Sequence, residues 1–90
     1  MNLIQIPKPI PGFQVQELDG EVVLLHPTSA VILHLNQTGA LVWQLCDGVR
    51  SVHDIILLLG DAYPESRKQI EADVPQIIAQ FAAHGALFNG

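Results

Sequence analysis

Four histidines and one cysteine are the residues of this sequence with the most distinctive chemistry. His26, His34, His53 and His84 suggest a metal site, and Cys46 suggests a nucleophile. No two of the histidines have the i, i+4 spacing that brings ligands together locally, and no Cys-x-x-Cys is present. Cys46 falls on the apolar side of a predicted helix without an activating neighbour, which favours a buried core thiol. We therefore expect no metal site, no cofactor and no enzymatic activity.

Length and charge narrow the possible functions further. A chain of 90 residues, 49% of them hydrophobic, indicates one domain whose binding site is shallow. The formal net charge of -5, with 4 Lys+Arg against 9 Asp+Glu, argues against nucleic acid, because phosphate binding needs clustered cations. Every apolar run is too short for a membrane span, and a lone cysteine fits a reducing compartment. We expect a cytoplasmic protein that does not enter a membrane.

Prolines and one tight turn organise the first part of the chain. Pro7, Pro9 and Pro11 each fix φ and remove an N–H donor, so residues 1–12 are predicted to be an extended arm ahead of a domain at 13–90. A hairpin is predicted across Asp19-Gly20, a dipeptide suited to two positive φ angles. Counting outward from this two-residue loop, Leu18 faces Glu21, Glu17 faces Val22, Val15 faces Leu24 and Phe13 faces His26.

A third strand and three helices are predicted for the rest of the chain. Pro27-Thr28-Ser29 forms a turn, and the aliphatic run Ala30–Leu35 completes a three-stranded meander. Asn36 can cap a first helix, which Asp47-Gly48 ends, and Ser51 with Asp54 begins a second that runs to about Ala62. A third helical pattern ends near His84-Gly85, and its apolar residues form one stripe: Ile70, Val74, Ile77, Ile78 and Phe81. Pro75 either kinks that third helix or begins a new one, and the sequence leaves both open.

The order of several short motifs resembles a known family. The sequence has Asp19-Gly20-Glu21 before an aliphatic strand, then the run Leu35-Asn36-Gln37-Thr38-Gly39-Ala40-Leu41-Val42-Trp43-Gln44-Leu45, and then Asp47-Gly48 with Ser51-Val52 and Asp54-Ile55. Tyr63, Asp73-Val74 and Gly85-Ala86-Leu87 continue the pattern. Together they resemble the PqqD-like family, whose members are RiPP recognition elements that bind the precursors of ribosomally made, post-translationally modified peptides.

This resemblance implies both a fold and a function. The fold would be α+β and winged-helix-like, with a three-stranded antiparallel meander followed by three helices. The leader part of a precursor peptide would add as a strand beside the third strand, with its side chains against the third helix, and would be presented to a separate modifying enzyme. That enzyme could be a radical S-adenosylmethionine enzyme or a leader peptidase. Carried onto this sequence, the peptide would contact Ala30, Val31, Ile32, Leu33, His34, Arg67, Ile70, Glu71, Val74, Ile77 and Ile78.

Two other functions fit the same order of elements. The chain could be a structural subunit of a biosynthetic complex that uses its apolar arm to form a homodimer. It could also be a winged-helix DNA-binding regulator, although the sequence lacks a basic face for that role.

Overall fold

A three-stranded sheet comes first in the chain and helices follow it. The computed structural model describes residues 3–28 and 30–88, so Ser29 of the predicted turn lies outside the described residues. The sheet contains β1 (Gln14–Leu18), β2 (Glu21–Leu25) and β3 (Ile32–Leu35) in the order β1-β2-β3, and every pair is antiparallel. The helices are α1 (Gln37–Leu45), α2 (Val52–Ala62) and α3 (Arg67–Ala83), with a 3-10 turn at Pro64–Ser66. The predicted α+β meander is confirmed.

The predicted hairpin has the register expected from its loop. Leu18 pairs with Glu21 and Val15 pairs with Leu24. Asp19 and Gly20 have φ angles of 52° and 83°, which is the backbone that a two-residue hairpin loop requires. Phe13 lies just before β1, and its ring contacts that of His26 edge to face at 5.0 Å between centroids.

The third strand is shorter than predicted. It begins at Ile32 instead of Ala30, because Ala30 has a φ of 57°, a left-handed conformation that does not continue a strand. Val31 still accepts a hydrogen bond from the His26 N–H at 3.2 Å. The extended backbone available beside the sheet therefore starts at Val31 and leads directly into α1.

The first two helices begin at side-chain caps. The Asn36 side chain accepts a hydrogen bond from the Gly39 N–H at 2.7 Å. Ser51 and Asp54 form a capping box, each side chain accepting from the other residue's N–H at 3.1 Å. These bonds lower the pKa of the Asp54 carboxyl. Both caps are as predicted, because each satisfies N–H groups that the helix itself leaves without a partner.

The third helix is continuous through Pro75. The two possibilities left open by the sequence therefore resolve in favour of one helix with an internal proline. At its end Gly85 has a φ of 79°, and the Ala86 N–H donates to the Phe81 carbonyl at 2.8 Å. This is a Schellman turn, and it returns the chain to the core at Ala86 and Leu87. Within the described residues, none of the helices has the length and apolarity needed to cross a membrane.

Apolar side chains from one face of the sheet and all three helices form the core. Leu24 of the sheet and Val42, Val52, Ile55 and Val74 of the helices are almost completely buried. β1, in contrast, is exposed along its length. The buried cluster consists of Leu24, Val42, Cys46, Val52, Ile55, Ile56, Leu59, Ile70, Val74, Ile78, Phe81, Ala86 and Leu87.

Candidate functional site

The outer edge of β3 carries backbone groups that can pair with another strand. β3 has β2 on one side and is last in the sheet order. In an antiparallel pair, alternate residues direct their N–H and C=O toward the partner strand. His26 and Val31 are such a bonded pair, so the backbone N–H and C=O groups of Leu33 and Leu35 also point toward β2. Ile32 and His34 therefore direct their N–H and C=O outward.

The side chains of β3 divide between the two faces of the sheet. Leu33 and Leu35 are half-buried and pack against the core. Ile32 is 61% exposed on the opposite face. His34 is on that face too, and its Nδ1 lies 3.5 Å from Glu21 Oε2 with both side chains exposed. Such an exposed pair contributes little stability.

A cleft of about 230 Å³ lies between the end of β3 and the second half of α3. We call it the β3–α3 cleft. Phe81 belongs to the buried core, while Leu35 and Ile77 are half-buried and pack against it. Its lining residues are His34, Leu35, Asn36, Gly39, Ile77, Gln80 and Phe81.

The cleft depends on a close approach of α1 to β3. A Cβ on Gly39 would lie 3.2 Å from Asn36 Oδ1, which would crowd the cap, and would be in van der Waals contact with Leu35 Cδ2 at 3.6 Å. On the other wall, Phe81 contacts Trp43 edge to face at 5.4 Å between ring centroids, a favourable arrangement for aromatic rings. The walls are therefore held from the core side.

The structure brings together only part of the predicted contact set. Ile77 lies at the β3–α3 cleft with His34. Val74 and Ile78 are 0% and 4% exposed, so in the unbound chain they offer almost no surface to a ligand. Ile70 is 6% exposed and lines a different cavity, between the helices.

The two charged members of that set lie on the surface of the first two turns of α3. Glu71 is exposed. Arg67 is directed toward the end of α2, where its Nη2 lies 3.3 Å from Asp61 Oδ1 and 3.5 Å from the Gly60 carbonyl oxygen. Arg67 is therefore engaged with α2.

Five residues of the cleft were not predicted as contacts. Leu35 was assigned to the third strand and Asn36 to a helix cap, and Gly39 was noted only in the run that carries the family resemblance. Phe81 belongs to the apolar stripe of the third helix, and Gln80 is three residues after Ile77, on the same side of the helix. A helical projection centred on Ile77 would have identified both α3 residues.

The arm occupies a different part of the molecule. The Gln5 and Leu3 carbonyls accept hydrogen bonds from the Val52 and His53 N–H groups at 2.9 Å. Further along, the arm pairs with the C-terminal segment through a bridge between Pro9 and Leu87. The described arm residues thus bind the start of α2 and the end of the chain, and not the outer edge of β3.

The described residues can be checked for the metal site and the nucleophile that the sequence suggested. They contain no group of three or more His, Cys, Asp or Glu side chains that could hold a metal ion. Cys46 is 3% exposed, and burial, with a smaller contribution from the charge of Asp47, raises the pKa of its thiol to about 12. A thiol of this kind is a poor nucleophile.

Comparisons with known proteins show the family and the fold of this chain. The family model described as "Coenzyme PQQ synthesis protein D (PqqD)" matches residues 21–87. A structure solved as "Lasso peptide synthetase B1 complexed with the leader peptide" is 25% identical, with a TM-score of 0.74 over 94% of this chain and 100% of that one. Another, "TbiB1 in Complex with the TbiA(beta) Leader Peptide", is 23% identical, with a TM-score of 0.72 over 92% of this chain and 96% of that one, and supports the fold. A search of curated proteins finds no match.

Proposed function

This chain belongs to the PqqD family, and on that premise we propose that it binds the leader segment of a ribosomally synthesised precursor peptide and presents it to a separate modifying enzyme. The leader adds as a fourth strand at the outer edge of β3, and its side chains enter the β3–α3 cleft. The observation that carries this proposal is the edge itself: Ile32 and His34 direct four backbone groups outward beside a partly apolar cleft. Both structures named above contain a leader peptide.

Strand pairing at the edge and side-chain burial in the cleft contribute differently to the affinity for the leader. Pairing with Ile32 and His34 forms up to four hydrogen bonds, each worth about 1 kcal/mol net. Association and ordering cost at least ~4 kcal/mol, so the edge alone gives almost no net affinity. Each aliphatic side chain buried in the cleft adds about 2 kcal/mol. Strand pairing therefore sets the register of the peptide, and the cleft sets the affinity.

The edge can be tested by removing one outward donor. His34→Pro deletes the outward N–H and places a ring at the edge, while the hydrogen bonds between β2 and β3 come from Leu33 and Leu35 and remain. The matched control is Glu17→Pro. Glu17 lies next to the loop-closing pair of Leu18 and Glu21, so its N–H points away from β2. Proline is tolerated at both positions because they are on edge strands.

We expect His34→Pro to weaken leader binding at least tenfold, and Glu17→Pro to leave it unchanged. The probe is a synthetic leader of the precursor encoded nearest to the gene for this chain, and the measurement is isothermal titration calorimetry. Circular dichroism checks that both variants fold. Equal affinities for the wild-type chain and a folded His34→Pro variant would refute pairing at β3. A polar replacement of Val74, another predicted contact, would test folding instead of binding, because Val74 is fully buried.

The remaining parts of the proposal concern what happens to the bound peptide. The chain performs no chemical step itself and acts in the cytoplasm, where the precursor is made. A radical S-adenosylmethionine enzyme or a leader peptidase acts on the presented precursor. Adding the wild-type chain to such an enzyme and its precursor should speed product formation, followed by mass spectrometry, and His34→Pro should give no comparable gain.

A further inference from the structure

A second cavity lies where the three helices meet. It has a volume of about 170 Å³, and we call it the helix pocket. Leu59 and Ile70 are 5% and 6% exposed and form its deepest walls. Leu41 is half-buried, and Tyr63 is 45% exposed at the mouth. Its lining residues are Gln37, Thr38, Leu41, Leu59, Tyr63, Ser66 and Ile70.

The size and lining of the helix pocket indicate what it can hold. A cavity of about 150 Å³ with aliphatic and aromatic walls accepts one benzene-sized group. The helix pocket is of that size, with apolar walls from Leu41, Leu59 and Ile70. Its polar side chains come from residues that are exposed or half-buried, such as Gln37 and Ser66, so they lie toward the opening. It therefore fits a single leucine, isoleucine or phenylalanine side chain.

The first turn of α1 separates the helix pocket from the β3–α3 cleft. Asn36 lines the cleft, and the next two residues, Gln37 and Thr38, line the pocket. On α3, Ile77 and Ile70 lie on one face two turns apart, about 10.5 Å along the helix axis. Val74 between them is fully buried. A peptide going from the cleft to the pocket therefore crosses the exposed first turn of α1.

This distance sets the spacing between two anchors on one peptide. An extended peptide advances about 3.3 Å per residue, so about three residues cover the distance from Ile77 to Ile70. The peptide should run antiparallel to β3, because antiparallel pairs predominate and every pair in this sheet is antiparallel. The residues that precede the paired segment then lie toward Asn36 and the pocket.

We propose that the helix pocket is a second anchor site for the same leader, and that it takes one leucine-, isoleucine- or phenylalanine-sized side chain about three residues before the segment paired with β3. This inference rests on the proposed function. The helix pocket then contributes to the choice of leader. Of its lining residues, only Ile70 is in the predicted contact set.

The pocket can be filled from its mouth without removing a hydrogen bond that holds the helices. Ser66 precedes α3 but makes no side-chain capping bond, so Ser66→Phe adds volume and removes no cap. Thr38→Leu fills the cavity from α1 as an independent variant. Glu65→Phe is the matched control, because Glu65 is exposed in the same 3-10 turn and does not line the pocket.

The experiment measures binding of the synthetic leader described above, together with an alanine scan of that leader. We expect Ser66→Phe and Thr38→Leu to weaken binding at least tenfold and Glu65→Phe to leave it unchanged. One apolar leader residue before the paired segment should weaken binding to the wild-type chain when changed to alanine, with no further loss in Ser66→Phe.

Two results would overturn the second anchor site and leave leader binding intact. One is wild-type affinity in both pocket-filling variants while His34→Pro loses binding. The other is that the loss of binding free energy in Ser66→Phe adds in full to the loss caused by every alanine substitution in the leader. By contrast, wild-type affinity in the folded His34→Pro variant, or a leader that does not bind the wild-type chain, would reject the proposed function itself.

Discussion

The arm and β3 are both stretches of extended backbone that pair with another segment of the chain along one side, but their other sides differ. The Ile10 N–H donates to the Ala86 carbonyl, and the Phe88 N–H donates to the Lys8 carbonyl, both at 2.9 Å. β3 has β2 along one side, and the described residues supply no strand for its other side. Each segment thus has one side paired within the chain, and the outer side of β3 is available to a partner strand.

The proline pattern explains why these two stretches differ. Lys8 and Ile10 pair with the C-terminal segment, and they alternate with Pro7, Pro9 and Pro11. Because alternate residues of an extended chain point to opposite sides, the prolines occupy the positions whose N–H groups would point away from the pair. They have no N–H, so the arm cannot extend the pairing to another chain. Ile32 and His34 keep their outward donors, which is what a binding edge requires.

Deleting residues 1–11 should have the largest effect on stability and almost none on the binding edge. Among the described residues, the deletion removes at least the four backbone hydrogen bonds made by Leu3, Gln5, Lys8 and Ile10. At about 1 kcal/mol each they sum to about 4 kcal/mol, a large share of the 5–15 kcal/mol typical of a domain. Urea denaturation should show this loss, and leader affinity should remain within about twofold at a temperature where the variant is folded.

Two outcomes would contradict this separation of roles. If the free energy of unfolding is unchanged by the deletion, the arm contributes no stability to its own chain. If light scattering shows that the deletion halves the mass, the arm joins two copies. Ile10→Pro is a milder variant that removes only the donor to Ala86, and it should cost about 1 kcal/mol.

A substitution at the junction between the arm and β1 should have a smaller effect on stability than the deletion of the arm. Gly12 has a φ of 102°, and a Cβ there would lie 2.5 Å from His26 Nε2. Gly12→Ala should therefore cost about 2 kcal/mol from backbone strain and crowding. Gly20→Ala is the matched control, because Gly20 has a φ of 83° but nothing within 4 Å of its added Cβ. It should cost about 1 kcal/mol.

Thermal or urea unfolding of the two glycine variants measures the difference. A larger loss for Gly12→Ala shows that the contact with His26 fixes how the chain enters β1. Equal losses would mean that His26 moves aside freely, and the path of the arm would then not depend on this contact.

The parts of the fold that short-range chemistry determines could be predicted from the sequence. The hairpin register follows from a two-residue loop at Asp19-Gly20, and the caps at Asn36 and Ser51 each involve residues three apart. The left-handed backbone of Ala30 could not be predicted, because alanine has no preference for a positive φ. The start of β3 was wrong by two residues for that reason.

The candidate site was harder to predict because burial depends on the packing of distant elements. The apolar stripe of α3 correctly marks the side that faces the protein. It does not indicate which members the other helices cover, and in the folded chain Val74 is fully buried while Ile77 remains half-buried. The family resemblance was confirmed by the match to residues 21–87, but the individual contact residues remain predictions.

The reactivity of the Cys46 thiol tests whether the arm and the open edge of β3 behave independently. The thiol is buried, and the concave surface that Cys46 lines also includes Pro9 and Phe13 of the arm and its junction. Burial raises the pKa of the thiol from 9.0 to about 12, so the fold favours the protonated form. The stability that the protonated thiol contributes to the fold is present below pH 9 and is lost as the pH rises toward 12.

Iodoacetamide labelling at about pH 8.5 should therefore be slow in the native chain, because little thiolate is present and access is poor. Saturating leader peptide should leave the rate unchanged, since it binds at β3. Deletion of residues 1–11 should raise the rate at least tenfold, and the urea-unfolded chain gives the upper limit. If leader binding instead accelerates labelling of Cys46, the peptide displaces the arm, and the closed and open stretches are coupled.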